Sequence, residues 1–250
     1  MRRLALACAA ALLLASSLLA AAAFARTHGK TPPRLTVFAA ASLTDVFPKI
    51  ARESYSFEGS NALATQIEQG LPADVFASAN TTLPEQLYKQ GYVTKPVDFT
   101  ANRLVIVVGH GNPLGIKGPA SLEAIKGVKI VMAAAGVPVG DYTRTVLARL
   151  HMSNLVDRAV SQETDVREVL SKVVLGEADA GFVYATDAKS VAGQVSVVRI
   201  SPHAQPRVVY AAAAVRTSSH LAAAKAWVRS LLSRRAQKKL RAYGFLPLPR

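Results

Sequence analysis

The sequence predicts an α/β protein with mixed, mostly parallel sheets, divided between two lobes. Short apolar runs alternate with amphipathic stretches of about ten residues from Pro32-Pro33 onward, the pattern of strands linked through crossover helices. Glycine, proline and hydroxyl residues punctuate these stretches where helices should start and stop. Beyond an N-terminal leader, roughly 225 residues carry more strands than one sheet needs, which argues for two cores.

The leader comes first. Arg2 and Arg3 precede an apolar run from Leu4 to Ala23, and Ala23-Phe24-Ala25 fits a small-x-small cleavage site. Residues 1–25 therefore read as a secretory signal peptide, giving a periplasmic mature chain that starts near Arg26. Cys8, the only cysteine, lies inside the leader behind a poor lipobox, Ala5-Leu6-Ala7. The mature chain then has no disulfides, thiol chemistry or cysteine metal sites. No later segment approaches the ~20 apolar residues of a membrane span.

Strands are expected over 35–40, 73–77, 103–108, 129–133, 180–184, 195–200 and 208–215. Helices are expected over 43–53, 61–69, 82–89, 121–125, 141–150, 166–175 and 219–241. Gly70 and Gly176 fall where left-handed C-caps belong. Thr164 stands in N-cap position ahead of Asp165-Val166-Arg167, and Pro138 opens the 141–150 helix. Pro48 fits poorly: inside the 43–53 helix it removes a backbone donor at a cost of up to ~3 kcal/mol, so a kink is expected there.

The formal charge is +14 and becomes +12 once Arg2 and Arg3 are removed. Nucleic acid is the usual partner at such a charge. Here the basic residues read as scattered, and the one cluster, Arg234-Arg235, Lys238-Lys239 and Arg241, falls on one helix face. A solvated surface facing anionic lipid or a membrane partner fits better in an exported protein.

In open α/β sheets ligands bind beyond the carboxyl ends of strands. Four such corners look alike: Ala41-Ser42, Gly59-Ser60-Asn61, Val137-Pro138-Val139-Gly140 and Thr164-Asp165-Val166. Each puts small or uncharged residues at a helix N-terminus, where unpaired N–H groups and the macrodipole attract anions. Any one corner can be only a helix cap. Tyr184, ending the run AGFVY, suits either a core position or a hydroxyl aimed into a cleft. Catalysis has little material. The five histidines share no metal-ligand spacing, no HExxH, GxSxG or P-loop occurs, and Asp45, Glu163, Asp165 and Asp187 read as helix-end charges.

Several segments, VFAAASLTDVF, ALATQIEQGLPADVFASAN, GVPVGDYTRTVL, DVREVLSKVVLGEADAGFVYATDA and AQKKLRAYGF, in this order from Leu35 to Phe245, resemble the periplasmic molybdate-binding proteins of ABC importers. The resemblance implies a type II periplasmic binding protein, closing like a hinged trap. One lobe would take 34–102 plus 209–250 and the other 103–208, joined by two crossover strands near Asn102 and Val208. It implies a molybdate or tungstate oxyanion held by the hydroxyls of Ser42, Ser60 and Tyr184 and the amides of Val139 and Val166. No catalysis, no cofactor and no other metal site are implied. The resemblance further implies an inner-membrane ABC permease as partner, no nucleic acid, and a monomer. Sulfate or another tetrahedral oxyanion is the alternative ligand, and a degenerate sensor or interaction domain the alternative role.

The chain departs from that family between Ile50 and Phe57, where it has only ARESYS. Either the first helix ends after Pro48 or the second strand shrinks to a stub such as Tyr55-Ser56-Phe57, and Glu58 stands close to Ser60. Asn80 and Ala211 replace a common Asp and Pro.

Overall fold

The computed structural model describes residues 34–249, so the leader and its cleavage site lie outside the described residues. Two five-stranded sheets organise the chain. The first has the order β2 (Ser54–Glu58), β1 (Thr36–Ala40), β3 (Val75–Ser78), β10 (Val208–Ala214), β4 (Val97–Asn102). The second has the order β7 (Ala159–Glu163), β6 (Ile130–Ala133), β8 (Ala180–Tyr184), β5 (Leu104–Gly109), β9 (Val195–Arg199). Both sheets are mixed, with parallel and antiparallel pairings evenly divided. The antiparallel ones all involve β10 or β5, the strands that follow the two crossings between sheets. The chain crosses at Arg103 and returns between Arg199 and Val208 through a 3-10 turn, Pro202–Ala204.

The two strand orders are the same pattern. β1 and β6 are each flanked by a parallel outer strand and a parallel inner strand. The corner after β1 is therefore equivalent to that after β6, and the corner after β2 to that after β7. In the first lobe β1 alternates its faces. Val37 and Ala39 face a core holding Phe47, Phe99 and Trp227, while Phe38 joins Phe76, Leu63, Ile67 and Leu87 on the other side. In the second lobe β5, β6 and β8 are apolar and buried throughout except at Gly109, the signature of strands covered on both faces.

The helices are α1 (Phe47–Ile50), α2 (Ser60–Glu68), α3 (Thr82–Lys89), α4 (Pro119–Ala124), α5 (Pro138–Arg149), α6 (Val166–Val174), α7 (Ala185–Ser190), α8 (Leu221–Ser230) and α9 (Arg234–Ala242). The single helix expected over 43–53 is instead a 3-10 turn, Ala41–Leu43, followed by the one-turn α1. Pro48 lies in the first turn of α1, where its missing N–H costs nothing, so no kink forms. The shortened ARESYS segment is absorbed by this helix. β2 remains a full strand, in parallel register with β1 from Thr36 opposite Ser54 to Ala40 opposite Glu58.

The helix expected over 219–241 is broken at Leu231–Ser233, and Ser233 Oγ accepts from the Ala236 amide to start α9. Strands β4 and β7 and helix α7 had no apolar run to announce them. Gly70 and Gly176 do adopt the left-handed conformation, with φ of 82° and 74°, just past α2 and α6.

Candidate functional site

All four corners and Tyr184 meet at one cavity. Its walls are Ala40, Ala41, Ser42, Glu58, Gly59, Ser60 and Ala79 from the first lobe, and Val137, Pro138, Val139, Asp165, Val166 and Tyr184 from the second. About 10 Å³ is open to the centre of a water-sized sphere, room for a single water or one small ion. The lobes touch at its rim. A Cβ on Gly59 would stand 2.4 Å from the Thr164 carbonyl oxygen, so only glycine allows this approach. A larger cavity, about 850 Å³, lies wholly in the second lobe beside α4 and does not touch these corners.

The helix starts leave specific amides free. In α6 the N-cap is Asp165, one residue later than the expected Thr164, and its Oδ1 accepts from the Arg167 and Glu168 amides. The Thr164 amide and hydroxyl go instead to Glu168. Val166, ahead of the capped pair, keeps a backbone N–H without an intrahelical acceptor. In α5 Pro138 occupies the first position and has no N–H, which leaves Val139 and Gly140 as the free donors. Gly140 is required for its own reason: a Cβ there would lie 2.1 Å from the Ala134 carbonyl oxygen, so the helix start is held tight against the end of β6. Gly181 plays the same part beneath α6, where a Cβ would meet Val169 at 2.9 Å.

Three hydroxyls complete the lining. Ser60 Oγ accepts from the Ala79 amide at 3.1 Å, which leaves its proton free to turn inward. Ser42 Oγ lies 2.8 Å from the Tyr210 hydroxyl on β10. Asn102 Nδ2, a donor only, reaches both Thr186 Oγ1 and the Tyr210 hydroxyl, at 2.9 and 3.4 Å. Tyr210 accepts from Asn102, and when it gives its single proton to Ser42 the Ser42 proton is left for the cavity. Tyr184 is 1% exposed, and its hydroxyl is buried with no partner, an arrangement that costs free energy unless something fills the cavity. Burial, then the neighbouring Tyr210, pushes the Tyr184 phenol well above its ordinary range, so it stays a donor.

The two carboxylates in the lining are otherwise engaged. Asp165 caps α6; its carboxyl is raised by burial and pulled back by the amides it accepts. Glu58 accepts from Ser56 Oγ at 3.2 Å and from Gln66 Nε2 at 2.7 Å, which ties it to its own strand and helix. No Lys or Arg lines the cavity. Beside it, Arg167 links the lobes. Its guanidinium pairs with Asp45 of the first lobe and lies 3.0 Å from the fully buried Asp187 of the second. Burial lifts the Asp187 carboxyl to about 7 against the pull of Arg167. Among the described residues no cluster of His, Cys, Asp and Glu is arranged to hold a metal ion, and no helix is long and apolar enough to cross a membrane.

The sequence residues Ser42, Ser60, Val139, Val166 and Tyr184 all line this cavity. Sequence reasoning missed Tyr210, Asn102 and the Arg167 bridge. Only Tyr210 left a signal, a lone polar ring in the run VVYAAAA.

Residues 35–246 match the family described as bacterial extracellular solute-binding protein. The molybdate-binding protein ModA of Mycobacterium tuberculosis is 37% identical over 224 residues, covering 84% of each chain. That of Haemophilus influenzae is 32% identical over 229 residues, 85% of this chain and 89% of its own. A more distant relative, 28% identical over 195 residues and covering 75% of this chain and 72% of its own, is an aconitate isomerase from a Pseudomonas species. Among solved structures, the periplasmic molybdate-binding protein of Azotobacter vinelandii superposes with a TM-score of 0.76 at 21% identity, over 87% of this chain and all of its own. The sulfate-binding protein SubI of Mycobacterium tuberculosis gives 0.72 at 20% identity, over 86% of each.

Proposed function

The chain belongs to the bacterial extracellular solute-binding proteins, and from that premise we propose that it captures molybdate or tungstate between its lobes and hands the anion to an ABC permease. One observation carries the reading. A small cavity between the lobes presents free donors from both walls, namely helix-start amides at Val139 and Val166, serine hydroxyls at 42 and 60 and the unpartnered Tyr184 hydroxyl, while its two carboxylates, Glu58 and Asp165, are held by other partners.

Molybdate and tungstate are fully deprotonated at neutral pH and offer only acceptors, so such a set of donors satisfies them. A protonated phosphate would need an acceptor in return. Spreading the charge over amides and hydroxyls binds a dianion without burying an isolated counter-charge. The relatives named for molybdate at 37% and 32% identity support this ligand. Export through the leader supplies the compartment in which such a carrier works. An enzymatic role on a carbon-chain carboxylate, as the isomerase relative suggests, finds no free base in the lining, where Glu58 and Asp165 are both held by hydrogen bonds. Sulfate is the second reading. It has the same charge and shape and is smaller, and a sulfate-binding protein shares the fold.

The test is isothermal titration of the mature, anion-stripped protein with molybdate, repeated in excess sulfate. One-to-one binding that survives sulfate is expected. Binding abolished by sulfate would make the protein a general oxyanion carrier. No heat and no thermal shift with molybdate, tungstate or sulfate would overturn the proposal.

A further inference from the structure

The positive charge is not scattered, as the sequence reading had it. Residues 188–250 hold twelve Lys and Arg and not one Asp or Glu, so they carry +12 of the +14 total. Seven of these cations, Lys225, Arg229, Arg234, Arg235, Lys238, Lys239 and Arg241, stand on α8 and α9, and all seven are exposed.

Helical geometry gathers them. At 100° per residue the five cations of α9 span an arc of about 160°, with Ala236 and Leu240 buried on the opposite side. Lys225 and Arg229 are one turn apart on α8. Among the described residues none of the seven takes part in a salt bridge.

This face is electrostatically unfavourable in the free protein. Arg234 and Lys238, and Arg235 and Lys239, are like-charge neighbours at i,i+4, which destabilises a helix. Arg234 and Arg235 also stand in the first turn of α9, against the positive end of its dipole, with no acidic residue there to offset them. Leu232, in the turn between the helices, is 49% exposed amid the cations. No aromatic side chain is exposed on α8 or α9, where Trp227 is buried, so the face lacks the anchors that dominate protein–protein interfaces.

We propose that the α8–α9 face docks on the surface of an anionic phospholipid bilayer. Phosphate head groups would relieve the like-charge repulsion, and the exposed Leu232 would dip among them. The contact is peripheral, because the apolar sides of both helices are already buried in the protein. It holds the protein at a membrane through charge and needs no ligand in the cleft.

Vesicle co-sedimentation tests this with the mature protein. Partition onto phosphatidylglycerol–phosphatidylcholine vesicles should exceed that onto pure phosphatidylcholine by about tenfold or more at low salt, and fall steeply as salt is added. Replacing Arg234, Arg235, Lys238 and Lys239 together by Gln should abolish the difference and raise the Tm by about 2 °C as the repulsion is removed. Should that variant not fold, Lys225→Gln with Arg229→Gln must still weaken partition. A control neutralising the exposed Lys95, Lys117, Lys126 and Lys129 should leave partition within about twofold, since they lie off this face. Equal losses in variant and control, or partition indifferent to vesicle charge, would overturn the proposal. So would tighter binding to soluble polyglutamate than to the anionic vesicles, which would make the face a site for acidic protein.

Discussion

Tyr184 and Tyr210 stand 5.8 Å apart, ring to ring, yet their hydroxyls are in opposite conditions. That of Tyr184 has no partner, while that of Tyr210 is committed to Ser42 and Asn102. Tyr184→Phe removes an unsatisfied buried group and should leave the empty protein as stable or more so. It should weaken oxyanion binding by about ten- to a hundredfold, the worth of a hydrogen bond to a charged group; calorimetry and a melting curve read the two effects separately. Tyr210→Phe acts through Ser42. It should cost about tenfold in affinity in the native background and almost nothing in a Ser42→Ala background, so a double-mutant cycle reads the coupling directly. The residues facing the cavity were legible because each sits in a corner phrase such as AAASL or VPVG. Tyr210 and Asn102 were not, since a residue that acts through another carries no motif of its own.

Elements set how closely the two walls approach. Gly59 lies at the start of α2 and touches the backbone ahead of α6, so any side chain there holds the lobes apart. Gly59→Ala should weaken oxyanion binding by about tenfold or more, because both walls supply donors, and should scarcely alter the melting point of the empty protein. Small-angle scattering would show its radius of gyration failing to contract on ligand addition. Sequence pattern found the helices that cover the sheets, since each buries an apolar stripe. It missed β4 because only continuous apolar runs were sought and VDFTAN carries the period-2 alternation of a half-buried strand instead, β7 because AVSQE holds only two apolar residues, and α7 because ATDAKS is too short to show a period. The break between α8 and α9 was readable in principle: Ser233 is an N-cap residue three positions ahead of the amide it accepts from.

At the scale of the whole molecule, Arg167 ties Asp45 of one lobe to the buried Asp187 of the other. The Asp187 carboxyl, lifted to about 7, binds its proton more tightly folded than unfolded, where a value near about 4 applies. Its contribution to stability is therefore complete below pH ~4 and is lost as pH rises through about 7. Urea midpoints should accordingly show the native protein losing ground to Asp187→Asn between pH 4 and pH 8; a constant gap across that range would contradict the assignment. The two-lobed plan was legible from the alternation of strands and helices. The gathering of charge in the last quarter of the chain was legible only in part: the cluster from Arg234 to Arg241 was seen, and the run of twelve cations without an acid around it was not, because each of the others was weighed locally.

The position of β10 has a consequence for the order in which the molecule assembles. The second sheet is built from one continuous stretch, β5 to β9, whereas the first has β10 inserted between β3 and β4. Until Val208–Ala214 arrives, β3 pairs only with β1 and β4 has no strand partner in its sheet. Contacts within 104–199 are the nearer in sequence and close at the lower entropic cost. Pulse-labelled hydrogen exchange during refolding should find amides of β5, β6 and β8 protected before those of β4 and β10. The cavity, which needs both walls, then comes into being only in the last step, when the end of the chain returns to complete the lobe that its beginning started.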